Sequence, residues 1–232
     1  ANASGNVAGR THYDFFRHRV MFPVLDLRGR VIAFGARKLG DEEGPKYLNS
    51  AESPIFKKGS GFYGLFRAQK DIRAEDICVV VEGFMDCLSL QQAGVPYAVA
   101  TLGTALGGPQ VKLLNRLTGN VVVVFDGDSA GQQAQAKAME TFLGEGVVVR
   151  GVSMPDELDP DEFVKERGVD AFHELVKNAP YLLDQRILEL ASNTGGHAEA
   201  KTRAVDQILP WISKLGSDNA KFVRVQQIAG LF

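Results

Sequence analysis

With 232 residues, 45% of them hydrophobic and 23% charged, the chain has the balance of an ordinary folded domain, which argues against extensive disorder. It contains no apolar run of about eighteen residues that would span a membrane, and no charged-then-apolar secretory signal, so the cytoplasm is the default and a membrane partner is not expected. The net charge of −2 conceals an asymmetry: residues 1–75 carry 13 Lys and Arg against 8 Asp and Glu, whereas residues 76–232 carry 13 against 20. That division suits a polyanion lying across the front of the chain and cations held in the rest.

The first stretch, ANASGNVAG, is small, polar and without methionine, as expected for a piece of a longer protein. RVMFPVLDLRGRVIAFGAR, residues 19–37, reads as two β-rich runs about a glycine-bearing turn, hence an antiparallel hairpin. GPKYLNSAESPIFKKGSGFYGL, residues 44–65, reads as a long ordered loop. From there the texture alternates between strand and helix. LFRAQKDI is helical, ICVVVEG a buried strand, FMDCLSLQQAG a helix ended by Gly94, and YAVAT a strand. GPQVKLLNRL is then a helix, NVVVVFD a strand, SAGQQAQAKAMETFL a helix ended by Gly144, and GVVVRGVSM a strand. Strand, helix and strand in succession predict an α/β fold with a parallel sheet, and continuous valine runs predict strands covered on both faces. Beyond Asp161 the pattern is helical throughout, punctuated by Pro180 and Pro210. Cys78 and Cys87 are too few, and too far from histidine, for a zinc site, and read as buried apolar residues.

Three acidic motifs fall at carboxyl ends of the predicted strands, where parallel α/β sheets bind ligands. VVVEGFMD places Glu82 at one strand end and Asp86 one helical turn later. VVVVFDGDSAG places Asp126 and Asp128 around Gly127, and SMPDELDPDEF places Asp159 and Asp161 around a proline. Taken singly, Asp-Gly-Asp is most often a turn, Glu-Gly a strand terminator and Asp-Pro-Asp a helix cap, for which Asp161 is well suited. Together they put carboxylates near an apolar core, a costly arrangement unless cations neutralise it. Oxygen donors without histidine or cysteine select Mg²⁺ or Mn²⁺, and two ions about 4 Å apart would serve in-line displacement at phosphorus.

VVEGFMD, ATLGTAL, FDGDSAG and the DPD of LDPDEF resemble the toprim module of bacterial DNA primase, which lays RNA primers on single-stranded DNA. RVMFPVLDLRGRVIAFGAR and PKYLNSAESPIFKKGSGFYGL resemble that family's basic N-terminal subdomain, so the resemblance covers about residues 10 to 230. It implies a toprim-type parallel sheet core (75–168) between a β-rich, basic N-terminal subdomain (1–74) and a C-terminal helical bundle (169–232). It also implies Glu82 as acid/base and organiser of the metal site, with Asp126 and Asp128 beside it in catalysis. Glu82, Asp126, Asp128, Asp159 and Asp161 would hold two or more Mg²⁺ or Mn²⁺ ions, with Asp86 supporting. Ser129 departs from the longer, often basic residue of many relatives, and Gly107-Gly108 from the usual threonine.

The resemblance further implies a cleft in which Arg19, Arg37, Lys46, Asn49, Lys57, Lys58 and Lys70 meet nucleotide or DNA, arginine through two donors and lysine as a point charge. Tyr47, Phe56, Phe62 and Tyr63, interleaved with them, either stack on bases or fix the loop by packing. The implied partners are a single-stranded DNA template, ribonucleoside triphosphates, the RNA–DNA hybrid product and, through a region absent from this sequence, a replicative helicase. The implied zinc domain also lies outside, so no zinc is expected here, and the implied location is the nucleoid at bacterial replication forks. The alternatives are a toprim nuclease using the same carboxylates, and a non-catalytic single-stranded DNA-binding or helicase-adaptor module.

Overall fold

The computed structural model describes residues 14–40, 43–127 and 129–232. The chain begins with the expected hairpin: β1 (Arg19–Leu25) and β2 (Val31–Lys38) pair antiparallel from Arg19 opposite Lys38 to Leu25 opposite Val31. Its turn is held by Asp26, whose Oδ1 accepts the N–H groups of Arg28 and Arg30 at 2.9 and 3.0 Å, with Gly29 at φ 83°. β3 (Tyr47–Asn49) adds to the other edge of β2 and sets Tyr47 opposite Arg37. This strand lies inside the segment read from sequence as a loop, being too short to show a period. A 3₁₀ turn at Lys58–Ser60 is the other regular piece of that segment.

The alternating units follow in the expected order: α1 (Leu65–Glu75), β4 (Cys78–Val81), α2 (Phe84–Ala93), β5 (Ala98–Ala100), α3 (Gly108–Asn115), β6 (Val121–Phe125), α4 (Ser129–Gly144) and β7 (Arg150–Ser153). The four strands form a parallel sheet in the order β5-β4-β6-β7. Every residue of β4, β5 and β6 is buried. Because side chains alternate along a strand, Val80, Val121, Val123 and Phe125 enter a core shared with α3 and α4, whereas Val79, Val81, Val122 and Val124 enter one shared with α2. That two-sided burial is what the valine runs encode.

Two boundaries differ from the sequence reading. α4 includes Gly144, and the left-handed turn falls on Gly146 at φ 73°, where Val147 N–H bonds back to the Phe142 carbonyl. The valines at 147–149 therefore follow that turn as irregular chain, and only Arg150–Ser153 is strand. Gly94, at φ 109°, ends α2 as read.

The remainder is helical: α5 (Pro160–Arg167), α6 (Val169–Lys177), α7 (Leu182–Ser192), α8 (Ala198–Ser213) and α9 (Asp218–Leu231). α5 and α6 close the α2 side through Phe163 and Phe172, while α7 packs on α4 and α8 and α9 pack on α7, with Leu183, Ile187, Ile208 and Ile228 in the shared core. Pro210 does not end its helix. α8 continues to Ser213 because Ile208 and Ile212, both buried, anchor the chain on either side of the proline, so packing overrides the local penalty. His197 stands at the N-terminus of α8, as read, and Trp211 packs partly buried against the helical core.

An aromatic cluster joins the antiparallel sheet to the parallel one. Phe84, first residue of α2, stacks on Phe22 of β1 with centroids 5.7 Å apart and meets Tyr63 edge-on at 4.9 Å. Tyr63 exchanges both backbone hydrogen bonds with Ala100 at 2.8 and 3.1 Å, which ties the connecting segment to the edge strand β5. Gly35 is the space that admits Phe84, since a Cβ there would stand 2.4 Å from the ring. The basic sheet is thereby fixed beside the carboxyl ends of β4 and β5.

Candidate active site

Glu82 directly follows β4, and Asp126 directly follows β6. Both line a cavity of about 400 Å³ whose other walls include Thr101 and Thr104 and, from α4, Gly131, Ala134 and Lys137. Gly131 admits the end of β6 at close range: a Cβ on it would stand 2.1 Å from the Asp126 carbonyl oxygen. Thr101 Oγ1 donates to the Glu82 carbonyl at 3.4 Å. Asp128 lies outside the described residues.

Asp86 sits in the first turn of α2, where its Oδ2 accepts the Gly83 N–H at 3.1 Å. A carboxylate in that position ordinarily gains from the helix terminus. Here burial, followed by the charges of Asp159 and Asp126 and, more weakly, Asp161, pushes its pKa up to about 6 against the Gly83 bond. The carboxylates that follow β6 and β7 thus act electrostatically on Asp86, which follows β4.

The DPD segment divides its labour differently from the sequence reading. Asp159, not Asp161, caps α5: its Oδ1 accepts from Glu162 N–H at 2.7 Å, and Glu162 Oε2 accepts from Asp159 N–H at 3.2 Å. The reason is Pro160, which takes the first helical position and leaves the preceding residue as the cap. Asp161 faces α2 instead. Ser89 Oγ donates to its Oδ1 at 2.5 Å and Lys165 Nζ to its Oδ2 at 2.6 Å. Burial raises the Asp161 pKa, but these two bonds and the Lys165 charge outweigh it and hold the carboxyl below its ordinary value.

Cations from the antiparallel sheet reach this acidic region. The Arg37 guanidinium lies 5.7 Å and the Lys46 ammonium 5.9 Å from the centre of the Tyr47 ring, so the ring carries two cations. Arg37 also helps keep Asp161 ionised. Burial, against the Arg37 charge and with the Asp86 and Asp159 carboxylates, pushes the Tyr47 phenol up. Arg19 braces the loop before β3 through a 2.9 Å bond from Nη1 to the Pro45 carbonyl. Asn49 Nδ2 donates to the Leu102 carbonyl at 3.2 Å, while its buried Oδ1 has no partner among the described residues. Lys58 holds the connecting segment through its backbone N–H on Glu52 Oε1 at 3.2 Å.

Two candidates stand apart from this group. Lys57 lines a separate cavity of about 460 Å³ with Arg28 and Arg30, over a floor of Phe56, Phe62 and Leu65. Lys70 is exposed on α1. Of the aromatic candidates, Phe56, Phe62 and Tyr63 are buried and pack the connecting segment, so only Tyr47 offers a ring to a ligand. Cys78 and Cys87 are buried, and burial raises both thiols. Ser89, Lys165, Thr101 and Lys137 escaped the sequence reading. A signal existed for two of them: Ser89 lies three residues after Asp86 and Lys165 four after Asp161, each on the helical face of that aspartate.

The oxygen-only donor set and the unrelieved carboxylate repulsion at Asp86 fit a hard divalent cation. Among the described residues, however, no group of three or more Asp, Glu, His or Cys side chains is already arranged to hold one.

Comparison with known proteins agrees with this architecture. Residues 2–69 match the family model described as DNA primase catalytic core, N-terminal domain, and residues 79–164 match one described as Toprim-like. The DNA primase of Pseudomonas aeruginosa is 42% identical over 230 residues, which are 94% of this chain and 34% of that protein. For the DNA primase of Escherichia coli K12 the figures are 41% over 231 residues, 96% and 39%. The chain thus spans roughly a third of the length of these curated relatives. The solved E. coli primase catalytic core superposes with a TM-score of 0.90 at 39% identity, covering 98% of this chain and 73% of that one. A DnaG primase catalytic domain bound to ssDNA gives 0.89 at 40% identity, covering 97% and 73%. Fold, motif order and both halves of the chain agree with these relatives, and the chain belongs to the DNA primase catalytic core family.

Proposed function

We propose that this chain is the RNA-polymerising part of a bacterial primase. It takes single-stranded DNA as template and ribonucleoside triphosphates as substrates, and leaves an RNA–DNA hybrid as product. The observation that carries this reading is that carboxylates from the ends of β6 and β7 act on Asp86, which follows β4, with Arg37 of β2 and Lys46, just before β3, stacked at Tyr47 beside them. Glu82, Asp126, Asp128, Asp159 and Asp161, supported by Asp86, would hold Mg²⁺ or Mn²⁺, which when bound lowers the pKa of the attacking hydroxyl and neutralises charge at phosphorus. A primer 3′-oxygen forms its bond to the α-phosphorus as the bond from that phosphorus to the β-bridging oxygen breaks, and pyrophosphate leaves with the electron pair. Glu82, on the cavity wall, takes the hydroxyl proton. Arg37 and Lys46 meet phosphate oxygens, and Tyr47 offers its ring to a base.

Phosphate contacts carry no sequence information, so the preference for a start site belongs to regions outside these residues. So does the contact with a replicative helicase at the cytoplasmic, nucleoid-associated fork. The working division is a basic part to residue 74, a toprim part from 75 to 168 and a helical part beyond. Asp126→Ala should abolish incorporation of labelled ribonucleotide on a single-stranded template while the circular dichroism spectrum stays that of the parent. Normal incorporation by that variant would overturn the assignment. Cutting of the DNA, with no incorporation by the parent under Mg²⁺ or Mn²⁺, would point to a nuclease instead.

A further inference from the structure

Both oxygens of Asp161 are engaged within the protein, one by Ser89 Oγ at 2.5 Å and the other by Lys165 Nζ at 2.6 Å. The two partners differ in kind. Ser89 comes from α2, the helix that also carries Asp86, so its hydroxyl links the second acidic helix to the first, and an alcohol can stay bonded to a carboxylate oxygen whose partner oxygen ligates an ion. Lys165 is a cation, and it occupies the oxygen that Ser89 leaves free. Its side chain is 69% exposed while that of Asp161 is 16% exposed, so the ammonium covers the carboxylate from the solvent side and can swing away without disturbing the core.

We propose that Ser89 and Lys165 are positioning residues of opposite sign for a divalent ion at Asp161. Ser89 fixes the carboxylate in its ligating orientation and remains in place. Lys165 fills the cation position until the ion displaces it. The proposal rests on the reading of Asp161 as a metal ligand.

The test is Mn²⁺ binding to the full chain, followed by calorimetry and by the electron paramagnetic resonance signal of free Mn²⁺. Lys165→Met should bind Mn²⁺ about two- to five-fold more tightly, the range that an exposed ion pair can oppose. Ser89→Ala should bind about ten-fold more weakly, as loss of an orienting partner does, and Ser89→Thr should restore binding. Metal-free circular dichroism spectra of all three should match the parent, with any loss of melting temperature limited to the few degrees that a lost hydrogen bond or ion pair costs, which separates positioning from loss of fold. If the parent binds Mn²⁺ and Lys165→Met binds it equally or more weakly, the proposal fails while the metal reading stands. If Ser89→Ala binds like the parent, the orienting half fails. If the parent takes up no Mn²⁺ with nucleotide present, the metal reading and this proposal fall together.

Discussion

Asp86 is the residue at which the competing demands of folding and chemistry are most exposed. Its pKa near 6 means that the folded chain binds a proton more readily there than the unfolded chain, whose carboxyl has its ordinary value near 3.8. The sign follows from linkage. Below about pH 4 both states are protonated and the group is neutral to stability; as pH rises through 6 the folded state must carry an unwelcome charge, so stability is lost across that window and stays lost above it. Asp86→Asn keeps an acceptor for the Gly83 N–H and removes the charge. In chelator-containing buffer it should therefore raise Tm at pH 8 by about 2–4 °C, corresponding to roughly 1 kcal/mol after screening, and the gain should vanish near pH 4. Added Mg²⁺ should reverse the order, because only the parent keeps its full donor set. Calorimetric melts at the two pH values check this, and equal gains at both would refute it. The carboxylates themselves were legible in the sequence, because three Asp- or Glu-bearing turns after valine-rich strands form a pattern that caps alone do not explain. Which of Asp159 and Asp161 caps and which faces α2 was not legible, since that depends on how α5 seats against α2.

At the scale of elements, the strand ends hold their acids in place through glycines that let backbone approach backbone. Gly131 in the first turn of α4 lies against the Asp126 carbonyl so closely that an added Cβ would meet it at 2.1 Å. A flexible side chain could yield, but a carbonyl oxygen at the end of a fully buried strand cannot yield without moving the strand. Gly131→Ala should thus cost about 1–3 kcal/mol in urea denaturation and shift Asp126 enough to weaken Mn²⁺ binding. A variant with parental stability and parental Mn²⁺ affinity would show that α4 tolerates displacement there. Element order could be read from the alternation of apolar runs and helical periods, because each parallel strand is buried on both faces and carries no polar interruption. β3 was missed because three residues are too few for a period, and the length of β7 was overread because Val147–Val149 are apolar for packing beneath α4 rather than for pairing. The helical run through Pro210 was legible as periodicity, and it holds because a local breaker yields to two buried isoleucines.

At the scale of the whole molecule, a chain of net charge −2 that takes the proposed polyanionic template must keep its cations together and apart from its acids. The aromatic cluster of Phe22, Tyr63 and Phe84 meets that demand by fixing a sheet rich in arginine and lysine against strand ends rich in aspartate, so that the charges stay separated yet adjacent. Arg37 and Lys46 at Tyr47 mark the seam. A template held there would be bound through its phosphates, releasing counterions, so affinity should fall steeply with salt while depending little on base sequence. Each lysine that contacts a phosphate of a single strand contributes about 0.7 to the slope of log affinity against log salt. Lys46→Ala should lower that slope by about 0.7, and Lys46→Ala with Lys58→Ala by about 1.4, on a mixed-sequence oligonucleotide followed by fluorescence anisotropy. Lys70→Ala, on the exposed face of α1, serves as the comparison: a loss equal to that of Lys46→Ala would mean that the strand runs over α1 rather than along the seam. An unchanged slope in the double variant, with affinity lowered equally at every salt concentration, would mean that these lysines shape the connecting segment and do not touch phosphate. In that event the docking of the two sheets would matter for the acid-lined cavity alone, and the track of the template would have to be sought on the other basic wall, between Lys57, Arg28 and Arg30.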